Sequence, residues 1–377
     1  MSSQFALLGQ RRFAGLFFTQ FFGAFNDNLF KSAIMLIFVY GGLVASEQAN
    51  IVVNAAAGLF ILPFFLFSAL AGQIADKYEK SGLVRRIKLA EIAICVLGAL
   101  TLYLDSVAGM LLVLFLLGVQ SAFFGPLKYS ILPQQLAEHE LVGGNAQIEM
   151  GTFVSILLGT VVGGVVATQG SDAAIWLACL VVLMALVGYF ASRFIPETRA
   201  TSPELVVGWN LVAETGKLIR LARADNAVFL SIMGVSWFWL LGSAFLAQIP
   251  KLTQDYLAGG ATVVTLILAI FTIAIALGSL ACERLSGKVI EIGLVPFGSI
   301  GITLAGIDLF FAIQGLPLAQ SREWLGFLGA PGTTRVLLDL GLIGFFGGMF
   351  IVPLYAFIQI LTPEAQRARI IAALSEG

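Results

Sequence analysis

Charge is scarce in this chain. Of its 377 residues only 11% are Asp, Glu, Lys or Arg, where soluble globular domains carry about 25%, and that deficit excludes an ordinary soluble domain. Histidine occurs once, at His139, and the three cysteines, Cys95, Cys179 and Cys282, stand in separate segments. No zinc-ligand spacing exists, the thiols read as inert, and no metal or other cofactor is expected. The histidine sits in "HELVGG", so the H-x4-D pairing of glycerolipid acyltransferases is missing; a G-x-S-x-G elbow and a phosphate loop are missing too. An enzyme is therefore not expected in this stretch. With a net charge of −1 and no basic tract, nothing points to nucleic acid. A cleavable leader is not expected either. The first apolar run, after "MSSQFALLGQRR", extends well past a signal-peptide core and has no A-x-A-like site.

What is present is oil. The chain is 59% hydrophobic, with a mean hydropathy of +0.95. Runs long enough to span a bilayer, about 20 residues each, recur throughout. Ten spans are expected, near 13–41, 51–75, 87–104, 108–132, 141–168, 173–195, 227–249, 261–283, 289–314 and 335–361, which makes an all-α polytopic membrane protein. The bases between spans are very uneven. The side holding the N-terminus collects Arg11, Arg12, Lys77, Lys80, Arg85, Arg86, Lys88, Arg193, Arg199, Lys217, Arg220, Arg223, Arg284, Lys288, Arg367 and Arg369. The other side has Lys251, Arg322 and Arg335. The positive-inside rule then places the N-terminus in the cytoplasm.

The longest polar break, "PETRATSPELVVGWNLVAETGKLIRLARADN", follows the sixth span. Its second half sets Leu211, Leu218 and Leu221 against Lys217, Arg220 and Arg223, the pattern of a basic helix on a membrane surface. Two repeats flank it. "GQIADKYEKSGLVRR" after the second span matches "SLACERLSGK" after the eighth, pairing Gly72 with Ser279, Asp76 with Glu283 and Lys77 with Arg284. "FFGPLKYSILP" in the fourth span matches "GMFIVPLYAFIQIL" in the tenth, pairing Pro126 with Pro353. Spans two and four thus correspond to eight and ten, a six-plus-six plan with both halves in one orientation. The expected organisation is a six-helix half over 1–195, an amphipathic linker over 196–226 and a second half over 227–377. By this count four helices of the second half are present and its last two are missing, an eleventh beginning near "RARIIAALSEG".

The loop after the second span carries a small residue four before an acid, followed by bases. It resembles the loop signature of the major facilitator superfamily, although Glu79 and Lys80 stand where a glycine and a base are common. As a gate, Asp76, Lys77, Arg85, Glu283 and Arg284 would pair with neighbouring helices in one state and part in another; as a plain loop they would satisfy only the positive-inside rule. In the fifth span, Gly159, Gly163 and Gly164 give small-xxx-small spacing for close helix approach.

The first span holds the most informative stretch, "TQFFGAFNDNLFKSA". At 100° per residue Gln20, Gly23, Asp27 and Lys31 share one stripe, while Phe18, Phe22, Phe25 and Leu29 lie opposite. A mid-span Asp costs about 2.5–3.5 kcal/mol to insert, so a chain that keeps one normally turns it to a wet cavity. Pairing with Lys31 alone is the competing reading, but Asn26 and Asn28 exceed what neutralisation needs. Gln147 and Glu149 lie two turns into the fifth span, where Glu149 could face Asp27 or Lys128. Lys128, near the end of the fourth span, could equally snorkel. Glu91 is expected at the interface, Asp308 in the outer half of its span, and Asp339 at a helix start.

"FFGAFNDNLFKSA", "FFGPLKYSILPQQL", "GGNAQIEMGTF", "ACERLSGKVIEIGLVPFGSIG" and "VPLYAFIQILTPEAQRARIIAA" together resemble the bacterial lysophospholipid transporters of the LplT type, from about Phe13 to Ala373. The resemblance implies a facilitator of the inner membrane. It would move lysophosphatidylethanolamine-like lipids from the outer to the cytoplasmic leaflet by alternating access, for reacylation by an acyltransferase/acyl carrier protein synthetase, separate or fused downstream. It carries Asp27 and its asparagines, and Lys128 with Tyr129, over as site residues. A zwitterionic head group needs both signs of charge, so Lys31 or Lys128 would meet its phosphate and Asp27 or Glu149 its ammonium. The alternative is a facilitator of a small solute or drug.

Overall fold

The computed structural model describes residues 4–287, 289–314, 316 and 323–375. Lys288, Arg322, Glu376 and Gly377 lie outside the described residues. Each expected span becomes a helix: α1 (Arg11–Tyr40), α2 (Ser46–Lys77), α3 (Lys80–Tyr103), α4 (Val107–Gln135), α5 (Leu141–Ala167), α6 (Ala173–Ser192), α8 (Asn226–Asp255), α9 (Ala261–Leu285), α10 (Leu294–Gln314) and α12 (Thr333–Leu361). Between or after them run three shorter helices, α7 (Leu211–Ala222), α11 (Trp324–Leu328) and α13 (Arg367–Ala372). Nine of the long helices among the described residues are long and apolar enough to cross a membrane. The tenth, α3, is long enough but carries Arg86, Lys88 and Glu91.

The ends follow local chemistry. α3 starts seven residues before the expected 87 because Glu79 caps it, accepting from the backbone N–H of Ser81 at 2.8 Å and of Gly82 at 2.5 Å. Such a cap satisfies donors that a helix start leaves open. Ser106 caps α4 through the Gly109 N–H at 3.2 Å, and Asn210 caps α7 through the Ala213 N–H at 3.1 Å. α10 starts later than 289, since Glu291 accepts from the Gly293 N–H at 3.0 Å in a preceding turn. Within α7, Leu218 and Ala222 are buried while Lys217, Arg220 and Arg223 are exposed, the amphipathic arrangement read from the sequence.

The chain forms two compact units: one of residues 1–138, 155–232 and 358–377, the other of residues 139–154 and 233–357. In the first unit α2 packs on α4, and α6 rests on both α1 and α3. Its core includes Phe30, Ile34, Phe38, Val113, Leu114 and Leu177. Membrane helices gain little from hydrophobic burial against lipid and depend on close packing at small residues. At Gly163 of α5 an added Cβ would stand 2.6 Å from the Leu29 carbonyl oxygen of α1, so only glycine permits this approach. Gly159 meets the Phe25 carbonyl in the same way, whereas Gly164 has nothing nearer than Leu36 at 3.8 Å; two of the three expected glycines make the contact.

The second unit is built round aromatics. Phe153 stacks on Trp239 with ring centres 5.7 Å apart, Phe238 stacks on Phe350 at 6.4 Å, and the Trp239 indole N–H donates to the Tyr355 hydroxyl at 3.1 Å. A cavity of about 520 Å³ opens between α8 and α10, with Trp237 and Leu241 on one wall, Thr303, Gly306 and Phe310 on the other, and Phe350 of α12 at its base.

Candidate functional site

Along the polar stripe of α1, Gln20, Gly23 and Asp27 are buried and Lys31 is half-buried. Gln20 is 2% exposed, Asp27 5% and Asn26 fully buried. Asp27 accepts from the Gln120 side-chain amide at 3.2 Å and from the Ser121 hydroxyl at 2.5 Å, both on α4. One residue earlier, Asn26 points to α3, where its amide donates to Glu91 Oε1 at 3.4 Å and to Cys95 Sγ at 3.2 Å. Glu91 accepts from Lys88 at 2.6 Å, with side chains 0% and 1% exposed. The Lys88 ammonium also lies 5.1 Å from the centre of the Phe124 ring, a cation–π contact that helps a desolvated cation. Three helices therefore meet at a buried acid–base network.

Glu91, expected at the interface, is enclosed by neighbouring helices with no exposed surface. Lys88, counted among the flanking bases, is likewise an interior cation. Their spacing of i, i+3 inside an apolar run was the available signal, and Gln120 and Ser121 in "LLGVQSAFFG" were the other. A position near the end of a span does not by itself mean exposure, and nothing local in sequence tells which helix Gln120 and Ser121 face. In fact α6 covers this part of α3: Gly188 of α6 faces Phe22 and Lys88.

Lys31 does not neutralise Asp27 by direct pairing. Its ammonium lies 5.0 Å from the centre of the Phe60 ring of α2, and Asp27 takes its bonds from α4. Asn28, the other asparagine of the motif, donates back to the Ala24 carbonyl of its own helix at 2.8 Å. Lys128 is half-buried, its ammonium 4.6 Å over the Tyr129 ring. Tyr129 is buried, and its carbonyl accepts from the Gln359 amide at 3.1 Å. Gln147 and Glu149 are fully buried in the second unit. Among the described residues no group of His, Cys, Asp and Glu is placed to hold a metal ion.

At the end of α2, Asp76 is fully buried and heavily bonded. It accepts from the backbone N–H of Ala368 at 3.0 Å and of Arg369 at 3.3 Å, from Arg369 Nε at 3.0 Å and from the Thr201 hydroxyl at 3.1 Å. A carboxylate at the first turn of α13 meets the positive end of that helix. Gly72, four residues earlier, explains the small residue in the loop pattern: an added Cβ would stand 2.8 Å from Arg369 Cα. Lys77 lies beside the Tyr78 ring, and Arg85 donates to the Ile195 carbonyl at 3.1 Å. In the second unit Glu283 is 8% exposed and its carboxyl abuts Gly143 in the first turn of α5, where an added Cβ would stand 2.7 Å from Glu283 Cδ. Arg284 is exposed. Glu79, between α2 and α3, is pushed up by partial burial, but hydrogen bonds from Ser81, Thr198 and Gly82 outweigh this and hold its carboxyl below the usual range.

At the opposite end of the second unit, Arg335 of α12 grips Asp308 of α10 with two nitrogens, Nε to Oδ2 at 2.9 Å. Asp339 is not at a helix start. It lies nearly two turns inside α12 and is 4% exposed.

Long apolar helices that enclose acids, bases and amides define a multi-pass membrane protein built on the transporter plan, rather than on that of a soluble enzyme. The chain belongs to the major facilitator superfamily, whose family model matches residues 16–375. It is 29% identical over 348 residues to "Lysophospholipid transporter LplT" of Yersinia pestis (strain Pestoides F), covering 90% of this chain and 76% of that protein. The similarity to the same transporter of Yersinia pseudotuberculosis serotype O:3 (strain YPIII) has the same values. Among solved structures the fold resembles the human organic anion transporter MFSD10 (TM-score 0.72, 16% identity, 97% of this chain and 89% of that one). It also resembles a bacterial homologue of the iron transporter ferroportin in its outward-facing state (TM-score 0.68, 13% identity, 97% and 89%).

Proposed function

We propose that this chain transports lysophospholipids, moving lysophosphatidylethanolamine-like molecules from the outer to the cytoplasmic leaflet of a bacterial inner membrane by alternating access. The observation that carries the reading is the similarity to the LplT transporters over 90% of the chain. The polar face of α1 supports it, because a zwitterionic head group needs both signs of charge in an otherwise apolar path. Gln20, Asn26, Asp27, Asn28, Lys31, Lys128, Tyr129, Gln147 and Glu149 would meet the head group, with the acids toward its ammonium and the lysines toward its phosphate.

The gate in this proposal is the pair of repeated loops. Asp76 and Glu283, with Lys77, Arg85 and Arg284, would hold helix starts in one state and release them in the other. The first half would run over 1–195, the linker over 196–226 and the second half from 227. The N-terminus would lie in the cytoplasm, where the imported lysolipid would be handed to an acyltransferase/acyl carrier protein synthetase. The deciding experiment follows labelled lysophosphatidylethanolamine between leaflets in proteoliposomes, with and without proton or sodium gradients. Transport should exceed that of protein-free vesicles and fall at least tenfold in Asp27→Ala. Unchanged transport in that variant removes the site assignment, and movement of water-soluble solutes instead of lysolipid removes the substrate assignment.

A further inference from the structure

The triad of Asp308, Arg335 and Asp339 takes no part in the proposed transport site. It has one more acid than base. Arg335 is committed to Asp308 by two nitrogens. That leaves Asp339, which is 4% exposed and whose Oδ2 has no hydrogen-bond donor. Asp339 follows Arg335 by four residues on α12, about one helical turn, so it stands on the face of α12 that meets Asp308 and the two carboxyl groups are neighbours. Two carboxylates are both acceptors and repel at such range; one proton between them turns the contact into a hydrogen bond. α9 also packs on α12 here, meeting it at Gly341 and Gly344 with Ile270 and Phe271. Neither side chain titrates or supplies a countercharge.

We propose that Asp308 and Asp339 hold one proton in common, making the α10–α12 contact a proton-binding site of the second unit. Asp339 carries the proton and donates to Asp308, whose remaining negative charge Arg335 balances. With the proton bound the triad is neutral; without it the triad carries one net negative charge between two helices. Arg335 stands 55% exposed beside the two acids, in the first turn of α12. The site could load a proton whatever substrate the chain carries, and this inference stands apart from the lysolipid reading.

Infrared difference spectroscopy of the purified full chain, titrated from acid to alkaline pH without lysolipid, reads the proton directly. A protonated-carboxyl band should be present, should vanish on alkalinisation, and should be lost in Asp339→Asn. In Asp308→Asn the band should shift in frequency, since its acceptor has changed, while Asp339→Glu should restore it. The shifted band in Asp308→Asn keeps the test decisive where Asp339→Asn yields no folded protein. A band unchanged in both Asn variants overturns the proposal. So does a band that sodium abolishes at constant pH, which would make the triad a metal-cation site.

Discussion

Each unit contains an ion pair joined to a further polar group, and the two are opposites. Lys88 and Glu91 are 1% and 0% exposed and lie under α6. Arg335 and Asp308 are 55% and 45% exposed, at the first turn of α12. Removing two charges from water costs several kcal/mol each, and only a short, well-surrounded pair recovers it. The buried pair is therefore intolerant of losing one partner, while the exposed pair is a weak tie whose interest lies in its third member, Asp339. Asp76 and Arg369, 0% and 22% exposed, stand between them.

The comparison breaks most sharply at Lys88. Lys88→Met strands Glu91 without its cation and should cost about 3–5 kcal/mol, read as thermal unfolding of the purified protein. Lys88→Met with Glu91→Leu removes both charges and should recover most of that loss. Equal losses in the single and double variants would show that the pair is held for packing, not charge. Next comes Asp76→Ala, which leaves the Ala368 and Arg369 N–H groups and the Arg369 guanidinium without their acceptor. About 1–3 kcal/mol should be lost, and Asp76→Asn, which keeps an acceptor oxygen, should lose less.

Glu79→Ala removes the α3 cap and should cost about 1 kcal/mol. Its carboxyl titrates below the usual glutamate range in the folded protein. The stabilisation is therefore complete above the unfolded glutamate value and disappears as pH falls through the folded one. The acid limb of the stability profile should flatten in Glu79→Gln, and an unaltered limb would remove the cap from the account. Smallest of all, Arg335→Ala should leave the unfolding temperature where it is, because exposed pairs contribute little. A loss as large as that of Lys88→Met would mean that exposure misjudges this pair.

Legibility followed from how far each feature depends on neighbours in sequence. Apolar runs located the ten long helices, and the amphipathic pattern located α7, because a membrane helix satisfies its backbone within itself. Boundaries moved where a cap intervened, as Glu79 did for α3. The burial of Asp27 could be argued from the cost of placing it in lipid. Its partners could not: Gln120 and Ser121 are ninety-three and ninety-four residues away in sequence, and no periodicity relates α1 to α4.

By itself the sequence determined that this chain lies in a membrane as long helices, with two matching loops and a charged stripe on the first helix. Those properties depend on hydropathy, helical period and local repeats. Only the tertiary structure decided that Lys88 and Glu91 are interior, that Asn28 turns back on its own helix, that Asp76 sits at the start of α13, and that Asp308 meets Asp339. Each is set by which helices pack together, and for a polar group in an apolar bundle the neighbour across the interface decides whether a charge is paired, shared or exposed.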